Sequence, residues 1–140
     1  MTIFMDGFSV KTESENQFTD ITGRISGSVS RSGLSSGIAS IFLLSTTSSL
    51  IICENEGGLL EDIVRRAMFF APDDIEYRHN KAWGDNNGRS HVKATLYRQD
   101  LTVPVRNGEL LLGTWQSIFL LEFDVRPRER RVSITMVGDV

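Results

Sequence analysis

The fold is decided by one stretch, Leu101-Thr102-Val103-Pro104-Val105-Arg106-Asn107-Gly108-Glu109-Leu110-Leu111-Leu112. Its centre, Asn107-Gly108, lies between two apolar runs, and both residues tolerate the positive φ angles that a two-residue hairpin turn requires. Strands joined by so short a turn must be antiparallel. Pro104 lacks an amide donor, so its strand should lie at an edge or at an interruption of the sheet. The stretch therefore predicts a largely antiparallel sheet.

Further strands are predicted on both sides of this hairpin, where apolar or alternating runs are separated by polar turns. They are Met1–Lys11 (one strand, or a pair broken at Asp6-Gly7), Ile38–Leu44, Leu50–Cys53, Trp115–Phe123 and Val132–Met136. Ile38–Leu44 is apolar on both faces, as in a central strand. With the hairpin, these runs predict about seven or more strands.

Helical spacing is present in three places. Ile21, Ile25 and Val29 recur every four residues, apolar residues line one face from Leu59 to Met68, and His91–Tyr97 has the pattern of a short helix. Gly57-Gly58 should break the chain before the second of these helices. We predict an α+β fold, a largely antiparallel β-sheet or sandwich with two or three helices, in a single domain covering residues 1–140.

The composition is that of an ordinary globular domain. The 140 residues are 40% hydrophobic and 24% charged, which fits one core. A net charge of −3 gives no bias towards nucleic acid or anionic membranes. The single cysteine cannot form an internal disulfide, and no apolar run approaches the roughly 20 residues of a spanning helix. We expect a soluble, cytoplasmic protein with neither a nucleic-acid nor a membrane partner.

One polar segment, Tyr77–Ala94, holds both histidines of the chain. It also carries Asp85 and two glycines, a composition typical of a site at the mouth of a cleft. His79 and His91 can supply two ligands to a divalent metal ion and Asp85 a third. Imidazole and carboxylate suit zinc or manganese, and magnesium is a further candidate. The alternative is that both histidines are simply solvated or hydrogen-bonded.

Three other groups have a chemical reading and a structural one. The hydroxyls and amides of Ser45–Ser49 can hold a phosphate oxygen, or they form a polar turn. Glu54 and Glu56 can act as bases or metal ligands, or they cap the next helix. The arginines of 126–131 can clamp an anion such as pyrophosphate, or they form a solvated turn. Cys53 is interpreted as a small buried residue, not a nucleophile.

Taken together, the ordered motifs resemble those of the YjbQ-like family, whose members are often described as secondary thiamine-phosphate synthases. The matching segments run in family order from about residue 18 to the C-terminus. They are Phe18–Thr22, Ser32–Gly37, Thr46–Leu50, Glu54–Glu56, Tyr77–Asn80, Ser90–Ala94, Val103–Val105, Leu112–Gln116 and Glu122–Asp124. Each motif alone is unremarkable, whereas the ordered set is specific.

The resemblance implies a compact α+β protein that assembles as a homotrimer and has a metal-binding histidine cleft. His79 and His91 match two family histidines, and the position of the third is occupied by Ser45. Because a hydroxyl is a poorer ligand than imidazole, Asp85, Glu54 or water must complete a weaker site, or the site is empty. Val125 stands where the family usually has glycine, which puts the local turn in question because valine resists positive φ.

The resemblance also implies an activity that couples a pyrimidine diphosphate to a thiazole phosphate and releases pyrophosphate. The first hypothesis is a transferase of this type, with a divalent metal ion as cofactor. Its proposed residues are Asp85, Glu54 and Lys93 as catalytic groups, His79 and His91 as metal ligands, and Ser45, Thr46, Thr47, Trp115, Arg126 and Arg128 as ligand-binding groups. The second hypothesis is a homotrimer that binds a small phosphorylated or anionic ligand without turning it over. A third is a structural trimer whose polar segment forms subunit contacts.

Overall fold

The structure is a computed structural model that describes residues 1–140. Eight strands and four helices follow one another in mixed order. They are β1 (Thr2–Thr12), β2 (Phe18–Asp20), α1 (Thr22–Ser32), β3 (Ser36–Leu43), β4 (Ser48–Cys53), α2 (Gly57–Phe70), α3 (Arg78–Trp83), α4 (Gly88–Tyr97), β5 (Asp100–Arg106), β6 (Glu109–Leu110), β7 (Ser117–Glu122) and β8 (Arg128–Asp139). The predicted α+β class is confirmed. The helix that the sequence pattern missed is α3, which lies inside the polar segment.

The strands form two sheets in which every pairing is antiparallel. One sheet has the order β1-β8-β3-β5-β6, and the other has the order β2-β7-β4. The main core lies between the two sheets and α1, and it includes Ile25, Ile41, Leu120 and Ile134, all fully buried. No helix of the chain is both long and apolar enough to cross a membrane.

The hairpin forms where the sequence predicts it. Asn107 and Gly108 have φ angles of 54° and 77°, and the flanking pairs are Val105–Leu110 and Arg106–Glu109. Because β6 pairs with only two residues of β5, Pro104 lies beyond that pairing, where its missing amide costs no ladder hydrogen bond.

One open alternative is decided and one local expectation was wrong. Strand β1 is a single strand that continues through Asp6-Gly7, and the Asp6 carboxylate points to α1 and accepts hydrogen bonds from Ser28 (2.6 Å) and Arg31 (2.7 Å). Gly57-Gly58 does not break the chain but forms the first turn of α2. The Glu56 carboxylate caps that turn by accepting from the amides of Gly58 and Leu59 at 2.8 and 2.6 Å.

Strand β3 is central in its sheet, as predicted, but only one of its faces is buried. On the outer face Ile38 and Phe42 are 46% and 51% exposed. Both faces of β3 are apolar, but a single chain buries only one of them.

Candidate functional site

Helices α3 and α4 bring the two histidines together. The ring centroids of His79 and His91 are 4.3 Å apart, and His79 Nδ1 lies 3.8 Å from Asp85 Oδ1. That nitrogen is buried but has no hydrogen-bond partner. These three residues, which we call the histidine cleft, join two imidazoles and one carboxylate at the surface of a single chain.

Four residues connect α3 to α4. Gly84 ends α3 with a φ of 70°, and Asn86 has a φ of 54°. Both conformations are left-handed, and glycine and asparagine tolerate them better than other residues do. The glycines and asparagines of the polar segment thus place His79 and His91 on adjacent short helices.

Burial lowers the pKa of His91 below its usual value. The nearby His79 lowers it further, whereas Asp124 and Asp85 act in the opposite direction without cancelling the shift. His91 is therefore neutral at pH 7. Neutral imidazole is the form that binds a metal ion or accepts a proton.

A buried carboxylate, Asp124, connects the histidine helices to the turn before β4. It accepts hydrogen bonds from Asn87 Nδ2 (3.3 Å), Thr47 Oγ1 (3.0 Å), the Val125 amide (2.7 Å) and Arg128 Nε (2.9 Å). Burial alone would raise the pKa of Asp124, but these hydrogen bonds and the charge of Arg128 outweigh it and lower the pKa. Asp124 is therefore an ionised anchor beside the cleft.

A second buried ion pair lies beneath the same turn. Glu122 is fully buried and accepts hydrogen bonds from Arg130 Nε and Thr12 Oγ1, both at 2.8 Å. Arg130 also donates to Thr47 Oγ1 at 2.7 Å, and Thr47 donates in turn to Asp124. Thr47 therefore links the two buried carboxylates into one network.

The turn Ser45–Ser49, predicted to hold a phosphate oxygen, contributes Thr47 to this network. Ser45 Oγ accepts hydrogen bonds from the Thr47 amide (3.1 Å) and the Ser48 hydroxyl (2.6 Å), so its side chain is engaged in the turn itself. Thr46 is exposed and Thr47 is buried. Of these three candidates, Thr47 is the one that the structure connects to Asp124.

The arginines of the predicted basic turn, residues 126–131, also differ in their contacts. Arg128 pairs with Asp124, whereas Arg126 is exposed and forms no ion pair within the chain. Val125 does not have a positive φ. Its amide is held by the Asp124 side chain, so this turn accommodates valine without strain.

Two predicted residues lie at the other end of the three-stranded sheet. Ser48 pairs with Glu122 at the end next to Asp124, and Cys53 pairs with Ser117 at the opposite end. Glu54 follows Cys53 and Trp115 lies two residues before Ser117, so both lie beyond the end of the sheet that the strand rise places about 17 Å from the network. The fold of one chain does not bring Glu54 or Trp115 to the histidine cleft.

Lys93 also lies apart from the cleft. It is two residues after His91 on α4 and therefore faces nearly the opposite way. The side chain is 1% exposed, forms no ion pair, and places its Nζ 5.9 Å from the centre of the Phe123 ring. Burial lowers the pKa of Lys93, and the charged groups that modify it are Asp73, Glu15 and Arg89, none of them part of the cleft.

We predict that Lys93→Met raises the melting temperature at pH 7, because it removes a buried amine that has neither a hydrogen-bond nor an ion-pair partner, at similar volume. In the wild-type chain the pKa of Lys93 is lower in the folded state than in the unfolded state. At pH values between these two pKa values the unfolded state binds more protons, so the free energy of unfolding rises with pH. The variant should lose this rise. Thermal unfolding between pH 7 and 10 measures both effects, and an equal rise in the two proteins would contradict the prediction.

Asp124, Asn87 and Glu122 belong to the site, but sequence reasoning gave them no role. One signal was present, since Glu122 is a charged residue at the end of the apolar run Trp115–Phe123, and buried carboxylates need partners. Two further buried atoms at the start of α4, Asn87 Oδ1 and Ser90 Oγ, lack hydrogen-bond partners. Such unpaired atoms are uncommon and are satisfied where a ligand or water binds.

The donors of the cleft fit a divalent ion only in part. His79, His91 and Asp85 are the donor types that zinc or manganese accepts, and the unpartnered His79 Nδ1 fits an additional ligand. Their side chains do not form a complete set of three metal ligands, and no other histidine, cysteine, aspartate or glutamate side chains do so. A metal ion would therefore need water or another ligand beside these residues.

Fold and site together define a small α+β sandwich with a two-histidine cleft beside a buried carboxylate network. The chain belongs to the YjbQ-like family, because the family model described as UPF0047 protein YjbQ-like matches residues 6–139.

Relatives and solved structures agree with this assignment. A UPF0047 protein of Methanothermobacter thermautotrophicus is 40% identical over 99% of this chain and 94% of its own. The UPF0047 protein YugU of Bacillus subtilis is 33% identical over 92% and 96%. A crystal structure from Sulfolobus solfataricus, described as a YbjQ-like protein of unknown function, has a TM-score of 0.93 at 33% identity and covers 99% of both chains.

Proposed function

We propose that the histidine cleft binds a divalent metal ion together with a small phosphorylated ligand, and that the protein is a transferase of the thiamine-phosphate synthase type. The observation that carries the proposal is the pair of adjacent imidazoles, one with a lowered pKa and the other with an unpartnered buried nitrogen. Neutral imidazole nitrogens of this kind can bind a metal ion or accept a hydrogen bond from a ligand.

The proposed reaction couples a pyrimidine diphosphate to a thiazole phosphate and releases pyrophosphate. Its main demand is neutralisation of the departing diphosphate, which a bound divalent ion supplies. His79 and His91 would hold the ion, His79 through its unpartnered Nδ1, and the carboxylate of Asp85, 3.8 Å from that nitrogen, would favour a cation there by its charge. Arg126, which has no ion-pair partner in the chain, and Arg128 would bind phosphate oxygens.

The proposal is tested by incubating the purified protein with both substrates and each of zinc, manganese and magnesium. Thiamine phosphate and pyrophosphate should form in equal amounts and depend on the added metal. No thiamine phosphate at any metal concentration would reject the activity.

A parallel metal analysis of the protein as purified and of Ser45→His shows whether restoring the missing imidazole completes the site, since that variant should then bind metal stoichiometrically.

A second candidate function is ligand binding without turnover. It is favoured by Ser45, because its hydroxyl is already used by the turn and cannot replace the imidazole that the family usually has. A ligand that binds only the folded state raises the melting temperature. A thermal shift with a phosphorylated pyrimidine or thiazole, in the absence of any product, would support binding alone.

We further propose that the chain assembles as a homotrimer. The outer face of the larger sheet exposes Ile3, Met5, Ile38, Phe42 and Leu44. A second apolar surface, which we call the helical ridge, exposes Phe69, Phe70, Val92 and Leu96, and Phe70 contacts Tyr97 where α2 meets α4. A three-fold ring needs two different complementary surfaces on each chain, and exposed apolar patches typically mark protein contacts.

The single cysteine, Cys53, is free, which fits the reducing cytoplasm that we propose as the location.

Phe42→Asp and Leu96→Asp should each prevent ring formation, because each places a charge in one of the two apolar surfaces. Light scattering after size exclusion should show a trimer for the wild-type chain and monomers for each variant. An equimolar mixture of the variants should form a one-to-one dimer, since one chain keeps the sheet face and the other keeps the ridge. Thr114→Asp, at an exposed residue in the loop before β7 that belongs to neither surface, serves as control. A Leu96→Asp variant that remains trimeric would exclude the ridge.

A further inference from the structure

We infer that Asn80 and Gly88 are positioning residues that hold His79 and His91 at their observed separation. Helix α3 has six residues and none of them is buried, so its own packing does little to fix His79. Asn80 provides the attachment. Its Oδ1 accepts a hydrogen bond from the Gly88 amide at 2.8 Å, and its Nδ2 donates to Asn86 Oδ1 at 3.1 Å.

Gly88 permits the close contact between the two helices. A Cβ at this position would lie 2.5 Å from Tyr77 Cβ and 3.0 Å from Asn80 Oδ1, closer than packed atoms allow. Tyr77 cannot easily move away, because its hydroxyl donates to the Pro72 carbonyl at 2.7 Å. Only glycine therefore lets the first turn of α4 approach the start of α3 this closely.

This contact sets the geometry of the cleft because of where the histidines lie in the chain. His79 directly precedes Asn80, and His91 lies three residues after Gly88, about one helical turn away. The hydrogen bond between Asn80 and Gly88 thus joins the two helices next to both imidazoles, and the 4.3 Å ring separation depends on it. The role of the contact in metal binding rests on the proposed function, whereas its effect on the ring separation does not.

The test compares Asn80→Ala, Asn80→Asp and Gly88→Ala with the wild-type protein. Aspartate keeps the oxygen that accepts from the Gly88 amide and loses the donor to Asn86, so Asn80→Asp should keep the contacts between the two rings. Asn80→Ala and Gly88→Ala should lose the nuclear Overhauser contacts between the two imidazole rings. In Asn80→Ala the global melting temperature should change by only a few degrees, since the residue lies outside the core. Asn86→Gly, which loses the second hydrogen bond of Asn80 but keeps the left-handed conformation of residue 86, is the matched control.

Zinc titration by calorimetry gives the second measurement. Loss of a supporting contact around a metal site typically costs about 10- to 100-fold in affinity, and we expect a loss of this size in Asn80→Ala and none in the Asn86→Gly control. If wild-type protein binds no zinc, the proposed metal site fails, but the ring contacts still test the positioning role. Ring contacts that persist in both Asn80→Ala and Gly88→Ala would overturn the inference.

Discussion

Arg130→Met is expected to lower the free energy of unfolding by about 3–5 kcal/mol, the usual cost of removing one partner from a buried ion pair. Arg130 donates to Glu122, which is fully buried, and to Thr47. Without the guanidinium, Glu122 keeps only neutral donors, the Thr12 hydroxyl and the Asp124 amide. Denaturant unfolding at one fixed protein concentration measures the loss.

The matched control is Arg31→Met. Arg31 also pairs with a carboxylate, Asp6 at 2.7 Å, but its side chain is 63% exposed, and exposed pairs contribute about 1 kcal/mol or less. Adding Glu122→Gln to Arg130→Met should recover part of the stability, because the unpaired charge is then gone. A loss in Arg130→Met no greater than that in Arg31→Met would show that the buried network does not depend on this charge.

His79→Ala and His91→Ala are expected to lower zinc affinity by more than the roughly 10- to 100-fold that loss of an outer contact costs, because each removes a direct ligand of the proposed site. Calorimetric titration with zinc measures the change. Cys53→Ala is the control, since it removes the only thiol of the chain, at the end of the sheet away from Asp124. Zinc binding that survives both histidine substitutions would place the metal elsewhere.

The same site should lose metal in acid. Protons compete with the metal for the imidazole nitrogens, and burial lowers the pKa of His91 from its ordinary 6.5. Metal occupancy at His91 should therefore hold at neutral pH and fall as the pH drops below about 6.5. Equilibrium dialysis across this range is the measurement. A flat occupancy would indicate carboxylate ligands alone.

The two histidines were identified from the sequence, but the buried network of Asp124, Glu122 and Thr47 beside them was not. The histidines stand in a segment whose glycines, asparagines and charges mark it as polar. Asp124 and Glu122 follow an apolar strand, and nothing local to them shows that Thr47, 77 residues before Asp124, is a partner. Long-range hydrogen bonds of this kind are visible only after the strands are paired.

The amino-acid sequence by itself determined the antiparallel α+β class, because turn residues such as Asn107-Gly108 and the apolar periodicity act over a few residues. It also determined that His79 and His91 share a polar segment. Tertiary structure alone decided that Lys93 faces away from the cleft, that Glu54 and Trp115 lie at the far end of a sheet, and that Asp124 joins the site. These outcomes depend on which helix face is buried and on which strand ends are adjacent. Both are set by packing between distant segments, whose contacts leave no local pattern in the chain.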